Sequence, residues 1–145
     1  MAPPTPSFCS DHPVNSREWM EELLRTRAQV REVYPHQLEM SMHINAGEDV
    51  FCVAGTSMGK TLVLQSGPIA AQARGEKGIA LMIVPTKILV EQQADVASRR
   101  GLRALAINQD TVRNARLAGR DLFKELDAGD DIRMGVMSHD TSYAE

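Results

Sequence analysis

The sequence predicts an α/β fold built on a parallel sheet, and three observations carry that expectation. From residue 48 onward, short apolar runs alternate with stretches of helical periodicity. The first two runs, Val50-Phe-Cys-Val-Ala54 and Ile79-Ala-Leu-Met-Ile-Val84, are apolar at every position. That is the pattern of strands covered by helices on both faces. The first run also leads into a glycine-rich turn and then a helix, the setting in which such turns bind phosphate.

Each element has its own warrant. Four of the seven prolines fall in residues 1–15, among Ser, Thr and Asn, so that segment is expected to be a disordered tail. Trp19, Met20, Leu23 and Leu24 then recur at helix spacing, with Ser16 as N-cap and Pro35 closing the helix near Val33. A second helix starts at Pro35, a favoured first-turn position, and stops at Gly47. Strands are expected at Val50–Ala54, Ile79–Val84, Leu102–Ile107 and Ile132–Met137, with helices at about 60–73, 86–99 and 111–127. Met40, Met42, Met82, Met134 and Met137 read as core fillers, and Cys52 as a buried, inert thiol.

Composition sets outer bounds. The chain has 145 residues, 43% hydrophobic and 24% charged, as expected of one globular domain. A net charge of −3 gives no overall pull toward nucleic acid, so any such contact must be local. The six arginines of Arg99–Arg120, against one aspartate, are offset by the five acids of Asp121–Asp131, and no aromatics interleave them. Cys9 and Cys52 form neither a metal spacing nor a disulfide framework, which points to a reducing compartment. His36 and His43 have no third ligand at a useful spacing. The longest apolar run falls far short of the ~20 residues that span a bilayer, so no membrane partner is expected. Residues 1–7 carry no basic and apolar leader pattern.

The most specific signal is Ala54-Gly55-Thr56-Ser57-Met58-Gly59-Lys60-Thr61. Glycines allow a tight turn whose successive N–H groups face inward and cradle phosphate oxygens. The following helix adds the partial positive charge of its N-terminus. In that arrangement Lys60 reaches the outer phosphates and the Thr61 hydroxyl ligates Mg²⁺, so ATP with Mg²⁺ is the expected ligand.

With this loop in place, residues 30–138 resemble the first RecA-like lobe of a superfamily 2 helicase, with RecQ-like DNA helicases as the best match and DEAD/DEAH-box helicases nearby. The resemblance implies a three-layer, parallel-sheet P-loop NTPase lobe that is incomplete and carries an N-terminal helical extension. Tyr34-Pro35-His36-Gln37 is similar to the motif that precedes the loop in RecQ-like enzymes. Gln37 matches the glutamine that recognises adenine, whose edge offers one donor and one acceptor to an amide. Tyr34 stands at the family's arginine position and Val33 at its aromatic one; Tyr34 is left as a base-stacking candidate. Val84-Pro85-Thr86-Lys87 resembles motif Ia, which implies a nucleic-acid backbone contact from Pro85, Thr86 and Lys87. Thr86 caps the helix, its free N–H groups attract a phosphate, and Lys87 supplies charge.

The family's acidic Asp-Glu box does not occur in the sequence, and Ile132–Ser138 matches the strand that precedes a Ser/Thr-Pro-Glu turn. Asp140 is a poor surrogate, three residues past Met137. The expectation is therefore the N-terminal piece of a 3′–5′ DNA helicase, without efficient hydrolysis alone. Val50–Ala54 is expected to lack strand neighbours. A nuclear location follows from the resemblance only, and the oligomeric state is not set by the sequence. Two alternatives stand beside this reading: a non-catalytic binding remnant and a small P-loop kinase.

Overall fold

The computed structural model describes residues 8–55 and 58–139. Helix α1 spans Arg17–Ala28, and the Ser16 hydroxyl accepts from the Trp19 N–H at 3.2 Å. Its buried face is Trp19, Met20, Leu23, Leu24 and Arg27. The helix stops at Ala28, short of the expected end near Val33. Gln29 turns left-handed (φ 54°), and the Val30 N–H returns to the Arg25 carbonyl. Within the expected tail Phe8 and Ser10 are half-buried, and Cys9 and residues 11–15 are exposed. The Phe8 ring meets Trp19 edge-on at 6.0 Å, and Asn15 accepts from Asn45 and Arg74. Residues 1–7 lie outside the described residues.

Helix α2 spans Pro35–Asn45 and α3 spans Lys60–Ala73. Helix α4 spans Lys87–Arg99, and its N-cap Thr86 accepts from the Leu89 N–H at 3.3 Å. The single helix expected over 111–127 is two, α5 at Gln109–Leu117 and α6 at Leu122–Asp127. Gly119 (φ 73°) breaks the run, and Asp121 caps the new helix by accepting from Phe123 and Lys124 N–H. The Arg120 guanidinium spans the break with two 2.7 Å bonds to Glu125, holding that carboxyl below the ordinary carboxylate range.

Strands β1 (Gly78–Val84), β2 (Arg103–Ile107) and β3 (Ile132–Ser138) form one parallel sheet in the order β1-β3-β2. One face carries Ala80, Met82, Ala104, Ala106, Met134 and Val136 against the buried residues of α1–α4. The other carries Leu105, Ile107 and Met137 against Val112, Ala115, Leu122 and Leu126 of α5 and α6. Gly135 leaves room for that second layer: a Cβ there would stand 3.0 Å from Leu126 and 3.2 Å from Leu81. The layers therefore match the predicted helix–sheet–helix order, and Met82 and Met134 are core residues as expected.

Two strand expectations need correction. Val50–Ala54 is not a strand, and Phe51 and Val53 are 94% and 87% exposed. A strand exists only by pairing, and among the described residues none runs beside this segment. Cys52 is consequently exposed rather than buried. Strand β1 is also covered on one face only. Ile79, Leu81 and Ile83 are 45%, 60% and 69% exposed, because α5 and α6 pack chiefly on β2 and β3.

A buried polar cluster ties α1 to α3 and α4. Arg27 Nη1 donates to Gln72 Oε1 (2.6 Å) and to the Arg100 carbonyl (3.2 Å). Gln72 donates to the Gly101 carbonyl, and Arg100 to Gln65 Oε1. Burial pushes both arginines' pKa down. Among the described residues no helix is long and apolar enough to cross a membrane.

Candidate phosphate-binding site

The loop is built where residue 55 meets α3. Gly59 is left-handed (φ 67°) and serves as the N-cap of α3, and among the described residues no side chain caps the helix. The left-handed residue turns the chain into the helix and leaves the first-turn N–H groups without a side-chain acceptor. The Met58 N–H closes back on the Gly55 carbonyl and the Leu62 N–H on the Gly59 carbonyl, both at 3.3 Å. Lys60 is exposed, and its Nζ reaches across the loop to the Ala54 carbonyl at 3.1 Å. Thr61 follows, half-buried. Thr56 and Ser57 lie outside the described residues.

The first turn of α2 holds this loop from behind. Gln37 is 5% exposed; its Nε2 donates to the Gly59 carbonyl at 3.2 Å and its Oε1 accepts from the Tyr34 N–H at 2.9 Å. Both ends of the amide are thus engaged within the protein. One N–H of Nε2 and one lone pair of Oε1 remain for a further partner. Beside it, His36 Nε2 bonds the Met58 carbonyl at 3.0 Å. Tyr34 lies parallel to the His36 ring, with centroids 5.8 Å apart, and its side chain is largely exposed. Sequence reasoning gave His36 no role, because a contact 22 positions away leaves no local signature.

A cleft of about 480 Å³ opens beside Lys60, between α2, residues 48–52 and the first half of α3. Met40, Ile44, Val63 and Leu64 wall it, with Glu48 and Asp49 at its rim. Apart from Lys60 the lining offers an anion no cation, and Glu48 and Asp49 oppose one, so the loop and helix start suit phosphate better than this cleft. Among the described residues no group of three His, Cys, Asp or Glu could hold a metal ion by itself. The Thr61 hydroxyl, in the first turn of α3, is an oxygen donor of the type Mg²⁺ takes.

The motif Ia residues lie at the carboxyl end of β1, where open parallel sheets place ligands. Pro85 and Thr86 are exposed. Lys87 Nζ lies 3.6 Å from Asp110 Oδ2, so its charge is partly balanced by the first turn of α5. Sequence reading missed this counter-ion. It also missed Asn108, the buried N-cap of α5, although Asn108-x-x-Thr111 is a legible capping pattern.

The parallel sheet, the glycine-turned loop and the uncapped helix start define a P-loop α/β nucleotide-binding lobe. The DEAD/DEAH box helicase family model matches residues 34–136. The chain belongs to the DEAD/DEAH box helicase family. It is also similar to the ATP-dependent DNA helicase Hel308 of Pyrococcus abyssi, with 36% identity over 81 residues. That match covers 55% of this chain and 11% of the relative, so the chain spans about a tenth of that protein's length.

Proposed function

We propose that the chain binds ATP with Mg²⁺ through Ala54–Thr61 and nucleic acid at Pro85–Lys87, as part of an ATP-dependent DNA helicase. The observation that carries this reading is the uncapped start of α3 behind left-handed Gly59, with Lys60 poised across the loop. Within the family, Pro35 and Gln37 favour a RecQ-like branch and, with it, 3′–5′ unwinding of DNA by a complete protein; the Hel308 relative is named for another branch. A nuclear location is proposed on the same resemblance.

Nucleotide binding is tested by thermal shift. If Mg-ADP binds only the folded chain, saturation at about 100 times Kd adds about 2.7 kcal/mol. For a chain of this size that raises Tm by roughly 5–10 °C. Lys60→Ala is expected to lose most of that shift, and equal shifts in the two proteins would overturn the reading.

The nucleic-acid contact is tested by salt titration on single-stranded DNA. Lys87→Ala is expected to lower the slope of log K against log salt by about one phosphate contact. Asp110→Asn frees Lys87 and is expected to tighten binding by up to about fivefold, the range of an exposed ion pair. Unchanged slopes and affinities in both variants would remove Lys87 from the interface.

A further inference from the structure

The first turn of α2 touches the phosphate loop at two consecutive carbonyls, through two consecutive side chains. His36 Nε2 is 3.0 Å from the Met58 oxygen, and Gln37 Nε2 is 3.2 Å from the Gly59 oxygen. A carbonyl accepts only, so His36 must carry its proton on Nε2 in this contact. The His36 ring is in turn set by its parallel stack on Tyr34, with 8° between the planes. Pro35, at the start of the helix, fixes the backbone that carries both residues.

A phosphate loop works by turning its N–H groups toward the anion, which requires the attached carbonyls to turn away. Two outward carbonyls with no partner would leave the loop free to re-aim its amides. We infer that His36 is a positioning residue for phosphate binding: its Nε2–H holds the Met58 carbonyl outward, so that the Gly59 N–H of the same peptide faces the ligand before it arrives. This inference rests on the proposed nucleotide site and names the part of it that sets loop geometry. Gln37 secures the next carbonyl, and the left-handed turn at Gly59 lies between that bond and α3. The contact is independent of the base, because its target is backbone beside the phosphates. It therefore tunes affinity for the phosphate chain itself, whatever nucleoside is attached.

The experiment uses inorganic pyrophosphate with Mg²⁺ as the probe, measured by calorimetry on the full chain. Two variants separate the donor from the ring: His36→Phe keeps an aromatic face for Tyr34 and deletes the N–H, and His36→Gln keeps an N–H donor and deletes the ring. His36→Phe is expected to weaken pyrophosphate binding about 3–10-fold, the usual worth of one hydrogen bond. His36→Gln should stay within about twofold of wild type, and ligand-free Tm should move little in either. Wild-type affinity in His36→Phe, or equal losses in the two variants, would overturn the positioning role. Lys60→Ala is run alongside. If it matches wild type, or if wild type itself fails to bind pyrophosphate, the phosphate site is wrong and the inference falls with it. A loss in Lys60→Ala beside an unaffected His36→Phe sinks only the inference.

Discussion

Gly59→Ala is expected to cripple the phosphate loop more than any other single-methyl change in the chain. Two costs add. At φ 67° an L-residue with a Cβ pays about 1–2 kcal/mol that glycine avoids. The new Cβ would also stand 2.1 Å from Gln37 Nε2, so something must move. Gln37 is the flexible member, but it is buried and bonded at both ends, so its displacement breaks the Tyr34 and Gly59 contacts together. At about 0.5–1.5 kcal/mol for each hydrogen bond, the total reaches roughly 2–5 kcal/mol. Mg-ADP affinity should fall at least about 30-fold, since the loss falls on the geometry that binds. Calorimetry against Mg-ADP measures this, and an affinity within threefold of wild type would show that the loop tolerates another turn.

The second large effect lies in the core. Arg27→Ala is expected to lower stability by about 2–4 kcal/mol, or roughly 6–12 °C in Tm for a chain of this length. It strands the Gln72 acceptor, removes a bond to the Arg100 carbonyl and empties the space of a long aliphatic stem. Arg27→Met should cost clearly less. Methionine refills the stem's volume and relieves the burial of a guanidinium whose Nη2 has no hydrogen-bond partner among the described residues. Chemical denaturation distinguishes the cases. Equal losses for the two variants would mean that the charge, not the packing and the stranded acceptor, sets the stability.

These expectations depend on geometry that the sequence discloses unevenly. The phosphate loop was legible because its requirements are local: Gly59 needs a left-handed backbone, and Lys60 and Thr61 must open a helix. Strand β1 is legible as an apolar run bounded by turn residues, and β2 and β3 are legible as weaker candidates. Val50–Ala54 was misread because β-branched, apolar character signals only a readiness to pair, and the partner is not encoded in the segment itself. The break between α5 and α6 was missed because Val112, Ala115, Leu122 and Leu126 keep helical spacing straight across Gly119. Gln37 shows a different limit. Its position in a recognisable motif suggests a ligand contact, and its amide is also bonded to backbone on either side, a structural use the motif does not disclose. Nothing in a one-dimensional pattern separates those two uses of the same side chain. His36 and Asp110 escaped notice for a related reason, since each acts on an element far away in the chain.

The strand order has a consequence for how the domain is assembled in time. β3 is the last of the three strands along the chain, yet it lies between the other two, and β1 and β2 make no ladder with each other. During synthesis, therefore, everything through Asp131 can emerge without a single sheet hydrogen bond available to it. Until residues 132–138 arrive, β1 and β2 are held only by the helices beside them, and their backbone donors and acceptors face water. The seven residues of β3 act as a keystone: their insertion closes two ladders at once and brings Met134 and Val136 into the core. Gly135 at its centre then limits how bulky that keystone is where Leu81 and Leu126 converge.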